Sequence, residues 1–250
     1  MDNRLKRRLG EGEILVGAWL TTSSDEVAEL MASLGFDWLA VDMEHGSAGV
    51  REALGAFRAA ERFGVAPLAR LTSADPHLAR RLLDGGAAGL IVPVVENAEA
   101  FAGFLLHCHY PPAGKRGVGL SRCNEWGTHF QDYLTGFAPV IVPQIETRAG
   151  VDAAAAIAAL PEVDALFLGP YDLSASLGSP GDFSTAAYKD CVARVKEACR
   201  QHGKALGIHQ VATDPAELAD RKAEGFRFIA YGTDAIAIRT ALAAVVKVTP

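Results

Sequence analysis

The four cysteines of the 250-residue chain, Cys108, Cys123, Cys191 and Cys199, form no CxxC pair. The spacing of a zinc or dithiol centre is therefore missing, and a chain of this size needs no disulfide framework. They read as reduced thiols. An excess of positive charge is also lacking: the formal net charge is −6, which disfavours a nucleic-acid groove or an anionic membrane surface as partner. No apolar run is long enough to span a bilayer, and the basic stretch from Met1 to Gly10 leads only into the short run Ile14–Leu20, too short for a signal peptide. The expectation is a cytoplasmic protein that handles small molecules and binds neither nucleic acid nor membrane.

Lysine is scarce where covalent chemistry would need it. None of Lys6, Lys115, Lys189, Lys196, Lys204, Lys222 and Lys247 ends an apolar run, where burial could depress its pKa for imine formation, and Lys204 precedes its run. Schiff-base catalysis is disfavoured, and metal-stabilised enolate chemistry becomes the natural competitor.

What is present is a regular alternation. Half of the residues are apolar, enough for one sizeable core. Eight apolar runs recur: Ile14–Leu20, Trp38–Asp42, Ala66–Leu71, Gly89–Val95, Val140–Ile145, Ala165–Gly169, Ala205–Ile208 and Phe226–Tyr231. Helical patterns lie between them. Val27, Leu30, Met31 and Leu34, and again Phe101, Phe104, Leu105 and Cys108, fall at i, i+3, i+4, i+7 and so share a helix face. Asp75-Pro76 and Asp214-Pro215 mark helix starts; Gly85-Gly86, Gly203 and Gly225 mark stops. Strand then helix, eight times, with strands apolar on both faces, predicts a single (β/α)8 TIM barrel over residues 1–250. Tyr110–Ala138, rich in Gly and Pro, reads as a long functional loop.

In such a barrel the polar residues just beyond the strands share the catalytic face. They are Asp42, Glu44 and His45 after the second run, Arg70 at the third, Gln144 and Glu146 at the fifth and Asp172 after the sixth. Glu146 and Asp172 close adjacent strands, where two like charges repel unless a cation joins them, which suits a hard ion such as Mg²⁺ or Mn²⁺. The bland alternative makes each a helix cap. A carboxylate of the Asp42–His45 segment could orient the His45 ring as general acid or base, against the alternative of a solvated loop residue. Arg70, in an otherwise interior run, needs an anionic partner: a substrate oxyanion or a structural acid. Of the remaining polar features, His107 and His109 read as surface or capping residues, and Gly232-Thr233-Asp234 as a helix cap.

These segments, with Gly17-Ala18-Trp19, Gly35 to His45, Leu83-Asp84-Gly85-Gly86-Ala87, Tyr110-Pro111-Pro112, Arg116 to Gly119, Pro143 to Thr147 and Gly169 to Ser174, closely resemble the HpcH/HpaI family of class II pyruvate aldolases. The resemblance implies a divalent metal (Mg²⁺ or Mn²⁺, with Co²⁺ also allowed) on Glu146 and Asp172, chelated by pyruvate or a related 2-oxo acid. It implies His45, oriented by Asp42, as acid/base through a metal-bound water, Arg70 on the keto oxygen, and Gln144 on the donor. The backbone amides of Tyr171 and Asp172 would hold the carboxylate. Asp84 would reach a neighbouring subunit's site in a homo-oligomer, a trimer or hexamer with swapped C-terminal helices. Tyr171 and His209 depart from the usual pattern near the substrate pocket and leave room for a hydroxylated donor such as hydroxypyruvate. The implied reaction cleaves 4-hydroxy-2-oxo acids to a 2-oxo acid and an aldehyde. Alternatives are a non-catalytic oxo-acid-binding regulatory barrel, or a coenzyme A thioester lyase whose basic groove only Lys115-Arg116 could supply.

Overall fold

Each of the eight apolar runs becomes a strand in the computed structural model, which describes residues 3–243, 245 and 246; Lys247 lies outside the described residues. The strands are β1 (Leu15–Leu20), β2 (Trp38–Asp42), β3 (Ala66–Arg70), β4 (Gly89–Val92), β5 (Val140–Ile145), β6 (Ala165–Leu168), β7 (Ala205–Gln210) and β8 (Phe228–Tyr231). They pair in parallel, in chain order, and β8 closes on β1. Around them run α1 (Arg4–Gly10), α2 (Asp25–Ser33), α3 (Val50–Arg62), α4 (Pro76–Asp84), α5 (Ala98–Leu105), α6 (Phe130–Gly136), α7 (Arg148–Ala158), α8 (Pro170–Ser176), α9 (Ala186–His202), α10 (Pro215–Ala223) and α11 (Asp234–Ala243). The architecture is the expected (β/α)8 barrel.

Period-two alternation divides each strand between two cores. Leu39, Val41, Ile141, Leu166, Leu168 and Leu206 face the helices, whereas Leu15, Trp19, Trp38, Leu68, Phe167 and Phe228 fill the interior. Trp38 stacks on Phe228 with ring centroids 4.4 Å apart and lies opposite Gly17. A β-carbon on Gly17 would fall 2.0 Å from the indole, so only glycine admits that ring.

The barrel's amino end is plugged. Leu5 and Leu9 of α1 join the interior cluster, and Asn3 donates to the carbonyls of Ala88 (2.7 Å) and Ala138 (3.0 Å). Lys6 ion-pairs with Asp164 at 2.7 Å, while Asp164 accepts the Ile141 amide at 2.8 Å. Lys204 donates to the carbonyls of Leu160 and Val163 at this same end.

The punctuation residues act as their chemistry dictates: Asp75 and Asp214 accept amide hydrogens from the first turns of α4 and α10, and Gly203 ends α9 with φ 66°. On α2 the periodic reading is half met: Val27 and Met31 pack against the core, but the stripe is centred elsewhere. Ala28 and Ala32 are buried, while Leu30 and Leu34 are 64% and 71% exposed, because small alanines let the helix approach the sheet closely. Phe101, Phe104, Leu105 and Cys108 are all buried as expected. The long 110–138 connection is not structureless: it contains α6 and a 3-10 turn over Arg122–Gly127. Arg116 anchors it, paired with Asp84 at 2.7 Å and lying over the rings of Tyr110 and Tyr133.

Candidate active site

At the carboxyl ends of the strands the interior turns polar. Asp42 and Arg70 occupy facing register positions on β2 and β3, and both are buried. Arg70 grips Asp42 with two donors, Nε to Oδ1 at 3.0 Å and Nη2 to Oδ2, and its Nη1 lies 2.9 Å from Glu44 Oε2. Its guanidinium carbon sits 5.1 Å from the centroid of the Trp19 ring, and Trp19 Nε1 donates to Asp42 at 3.2 Å. Burial alone would raise Asp42, but its bonds to Arg70 outweigh that and hold it below its ordinary value. Glu44 is pushed up, because its burial outweighs its attraction to Arg70 and His45.

Glu146 stands one residue beyond β5 and is buried. It accepts the Val94 amide at 2.7 Å and Gln144 Nε2 at 2.9 Å. It does not cap α7; Thr147 does, accepting from the Gly150 amide. Val94 adopts φ 51°, a left-handed conformation unfavourable for a β-branched residue, and this places its amide on the carboxylate. Burial pushes Glu146 up to about 7; the Val94 amide and Arg70 oppose this, and the Glu44 and Asp172 carboxylates add to it. A β-carbon on Gly169 would lie 2.6 Å from Glu146 Oε2, so the strand beside it must leave room. Gln144 Oε1 is buried without a hydrogen-bond partner among the described residues.

Asp172 lies in the first turn of α8, whose cap position is Gly169. Its side chain has no hydrogen bond among the described residues, and it acts electrostatically on both Glu44 and Glu146. Two converging carboxylates with an orphaned amide oxygen beside them fit a hard divalent cation. Among the described residues no group of three or more His, Cys, Asp or Glu side chains forms a closed cage, so an ion held by this pair would keep positions for substrate oxygens and water.

Of the other expected residues, His209 joins the cluster through Trp19, whereas His45, Tyr171 and Asp84 lie apart from it. Asp42 accepts the backbone amide of His45 at 3.1 Å, and that of Glu44 at 3.0 Å; it fixes the loop and does not bond the His45 ring. That ring is exposed on the rim beside Thr21–Glu26. Tyr171 presents its backbone at the α8 start, and the residue is 54% exposed, its ring packing edge-on against Phe183. Asp84 closes α4, which runs back from the site, so it lies at the opposite end of this barrel. His209, on β7, packs at a tilt against Trp19 with ring centroids 4.5 Å apart. Trp19, quoted only as part of a motif in the sequence, proves to be a member of the cluster beside Glu44, which lies with the polar residues expected after the second strand; the alternation parity of Trp19 was the available signal.

Against known proteins, the profile of the HpcH/HpaI aldolase/citrate lyase family matches residues 15–241. The chain belongs to that family. It is 39% identical over 237 residues to a hydroxypyruvate/pyruvate aldolase of Chromohalobacter salexigens, covering 92% of this chain and 91% of the relative. It is 33% identical to a 2-keto-3-deoxy-L-rhamnonate aldolase of Klebsiella pneumoniae subsp. pneumoniae, covering 97% of this chain and 91% of the relative. A crystal structure of a family member from Burkholderia cenocepacia superposes with a TM-score of 0.91 at 36% identity, covering 98% of each chain.

No lysine enters the hydrogen bonds or ion pairs of the cluster among the described residues. Arg116, of the Lys115-Arg116 pair, is buried and paired with Asp84. No helix among the described residues is long and apolar enough to cross a membrane.

Proposed function

We propose that this protein is a class II aldolase that reversibly cleaves 4-hydroxy-2-oxo acids, 2-oxo-3-deoxy sugar acids or dioates, into pyruvate or hydroxypyruvate and an aldehyde. The observation that carries this reading is Glu146: a buried carboxylate with no ion pair among the described residues, beside Asp172 and the unpaired oxygen of Gln144. Family membership and the aldolase relatives support the same class. Glu146 and Asp172 would hold Mg²⁺, Mn²⁺ or Co²⁺, and that ion supplies Lewis acidity toward a chelating 2-oxo acid.

The protein's own groups do the rest. His45 takes the proton of the C4 hydroxyl; the C3–C4 bond breaks, its electron pair passes toward C2 and the aldehyde departs. Arg70, preset by Asp42 and Glu44, stabilises the charge that gathers on the C2 oxygen, a contribution typically about 10² to 10³ in rate. A proton delivered to C3 then completes the product. Gln144 contacts the donor, and the amides of Tyr171 and Asp172 take its carboxylate. Burial of the Arg70–Asp42 pair keeps the guanidinium from swinging away between turnovers.

Assembly as a trimer or hexamer, with α11 exchanged between copies and Asp84 lent to a neighbour's site, is supported by the exposed apolar side chains Leu30 on α2, Leu34 just beyond it, and Ile238 and Leu242 on α11. The four unpaired, buried thiols suit a cytoplasmic location.

The test is pyruvate release from a 4-hydroxy-2-oxo acid by the purified protein, after EDTA and after Mn²⁺ is restored, with Asp172→Asn alongside. Release is expected to vanish with EDTA, return with Mn²⁺ and fall at least about 10²-fold in the variant. Release indifferent to EDTA overturns the mechanism.

A further inference from the structure

We infer that His209 sets which donor the site takes, its Nδ1 accepting a hydrogen bond from a hydroxyl on C3 of the 2-oxo acid. This rests on the proposed function and adds to it a residue that reads the donor's substituent.

The placement comes first. His209 lies opposite Ala230 in the β7–β8 register, and Ala230 belongs to the interior cluster, so the imidazole points inward. There it packs at a tilt of 31° against Trp19, ring centroids 4.5 Å apart, the same indole that lies against Arg70 and donates to Asp42. His209 thus belongs to the polar layer that would floor the donor, one strand beyond β6 and its following acid, Asp172.

The tautomer follows from its partner. Nε2 lies 3.2 Å from the Gly232 carbonyl oxygen, and a carbonyl only accepts, so Nε2 carries the hydrogen. Burial, reinforced by the charge of Arg70, pushes the imidazole down to about 4, against the Gly232 bond and Asp42; the ring is neutral at pH 7. Nδ1 is then an obligate acceptor. It has no hydrogen bond among the described residues, and it is not one of the sealed, unpartnered polar atoms that Gln144 Oε1 exemplifies, so it is open to solvent. The groups assigned to the donor's oxygens, Arg70 and the α8 amides, are donors themselves. A hydroxylated donor satisfies Nδ1, whereas pyruvate leaves it to water and presents only a methyl group.

The experiment uses the full chain loaded with Mn²⁺ and follows deuterium uptake at C3 of hydroxypyruvate and of pyruvate in D₂O by NMR, which needs no aldehyde. His209→Phe keeps a ring on Trp19 without the nitrogens; His209→Asn restores an acceptor; thermal unfolding confirms that each variant folds. In His209→Phe the ratio of hydroxypyruvate to pyruvate exchange is expected to fall about 10-fold, with pyruvate exchange changed by less than about 3-fold, and His209→Asn is expected to recover most of the ratio. A ratio unchanged in His209→Phe, or an equal fall for both donors, overturns the inference while leaving the aldolase reading intact. A wild-type protein that exchanges neither donor overturns the aldolase reading, and this inference with it.

Discussion

Two acids withdrawn from water at opposite ends of the barrel, Glu146 fully and Asp164 largely, meet opposite treatment. Asp164, at the amino end, is raised by burial, but Lys6 and the Ile141 amide reach it at 2.7 and 2.8 Å. Glu146, at the carboxyl end, is raised by burial to about 7 and receives an amide, a carboxamide and two further acids. One end carries its own counter-ion and the other leaves the place open. The lesson is that unsatisfied electrostatics concentrate where a ligand is to complete them, and the plugged end is where the fold secures its stability.

The sharpest way to break this contrast is Glu146→Gln. Activity is expected to drop by about 10³ or more, with calorimetric binding of Mn²⁺ lost. The same variant checks the electrostatics through pH. Glu146 titrates at about 7 in the folded chain against an ordinary 4.5, so the folded state binds its proton more tightly. Its penalty is absent below pH 4.5, grows as pH rises through about 7, and reaches roughly 3 kcal/mol in metal-free protein at the alkaline end. Urea unfolding against pH should show that decline in wild type and lack it in Glu146→Gln.

Next in size is Lys6→Met, which strips Asp164 of its cation. The pair is partly exposed, so a loss of about 2 to 3 kcal/mol is expected, or roughly 4 to 12 °C in melting temperature, with kcat and KM unchanged. Unaltered stability would erase the distinction between the two ends. The smallest effect is expected from Val94→Gly. It relieves a left-handed β-branched residue but adds chain entropy, for a net gain of no more than about 1 kcal/mol. Titration should show Mn²⁺ affinity a few-fold weaker once the amide on Glu146 is no longer held in place.

The strands and their polar ends were legible in the sequence because period and burial act locally: all eight runs and the positions of Asp42, Arg70, Gln144, Glu146 and Asp172 follow from them. What was not legible depends on three-dimensional partner choice. Asp42 could equally have bonded a ring or a backbone, and the structure takes the Glu44 and His45 amides together with Arg70. Tyr171 could have faced either way, and Phe183 draws it outward. On α2 the eye is drawn to leucines, yet close packing selects Ala28 and Ala32, and α6 was hidden because Gly and Pro around it mask a seven-residue helix.

The helix that stoppers the amino end has a kinetic corollary. With Leu5 and Leu9 filling the bottom of the barrel, the site has a single entrance, and Gln144 and Arg70 lie deeper in it than the exposed ring of His45. Under the reaction proposed, whichever molecule occupies the floor is covered by whatever arrives second. Condensation is therefore expected to follow a compulsory order, 2-oxo acid first and aldehyde second, and cleavage to release them in reverse.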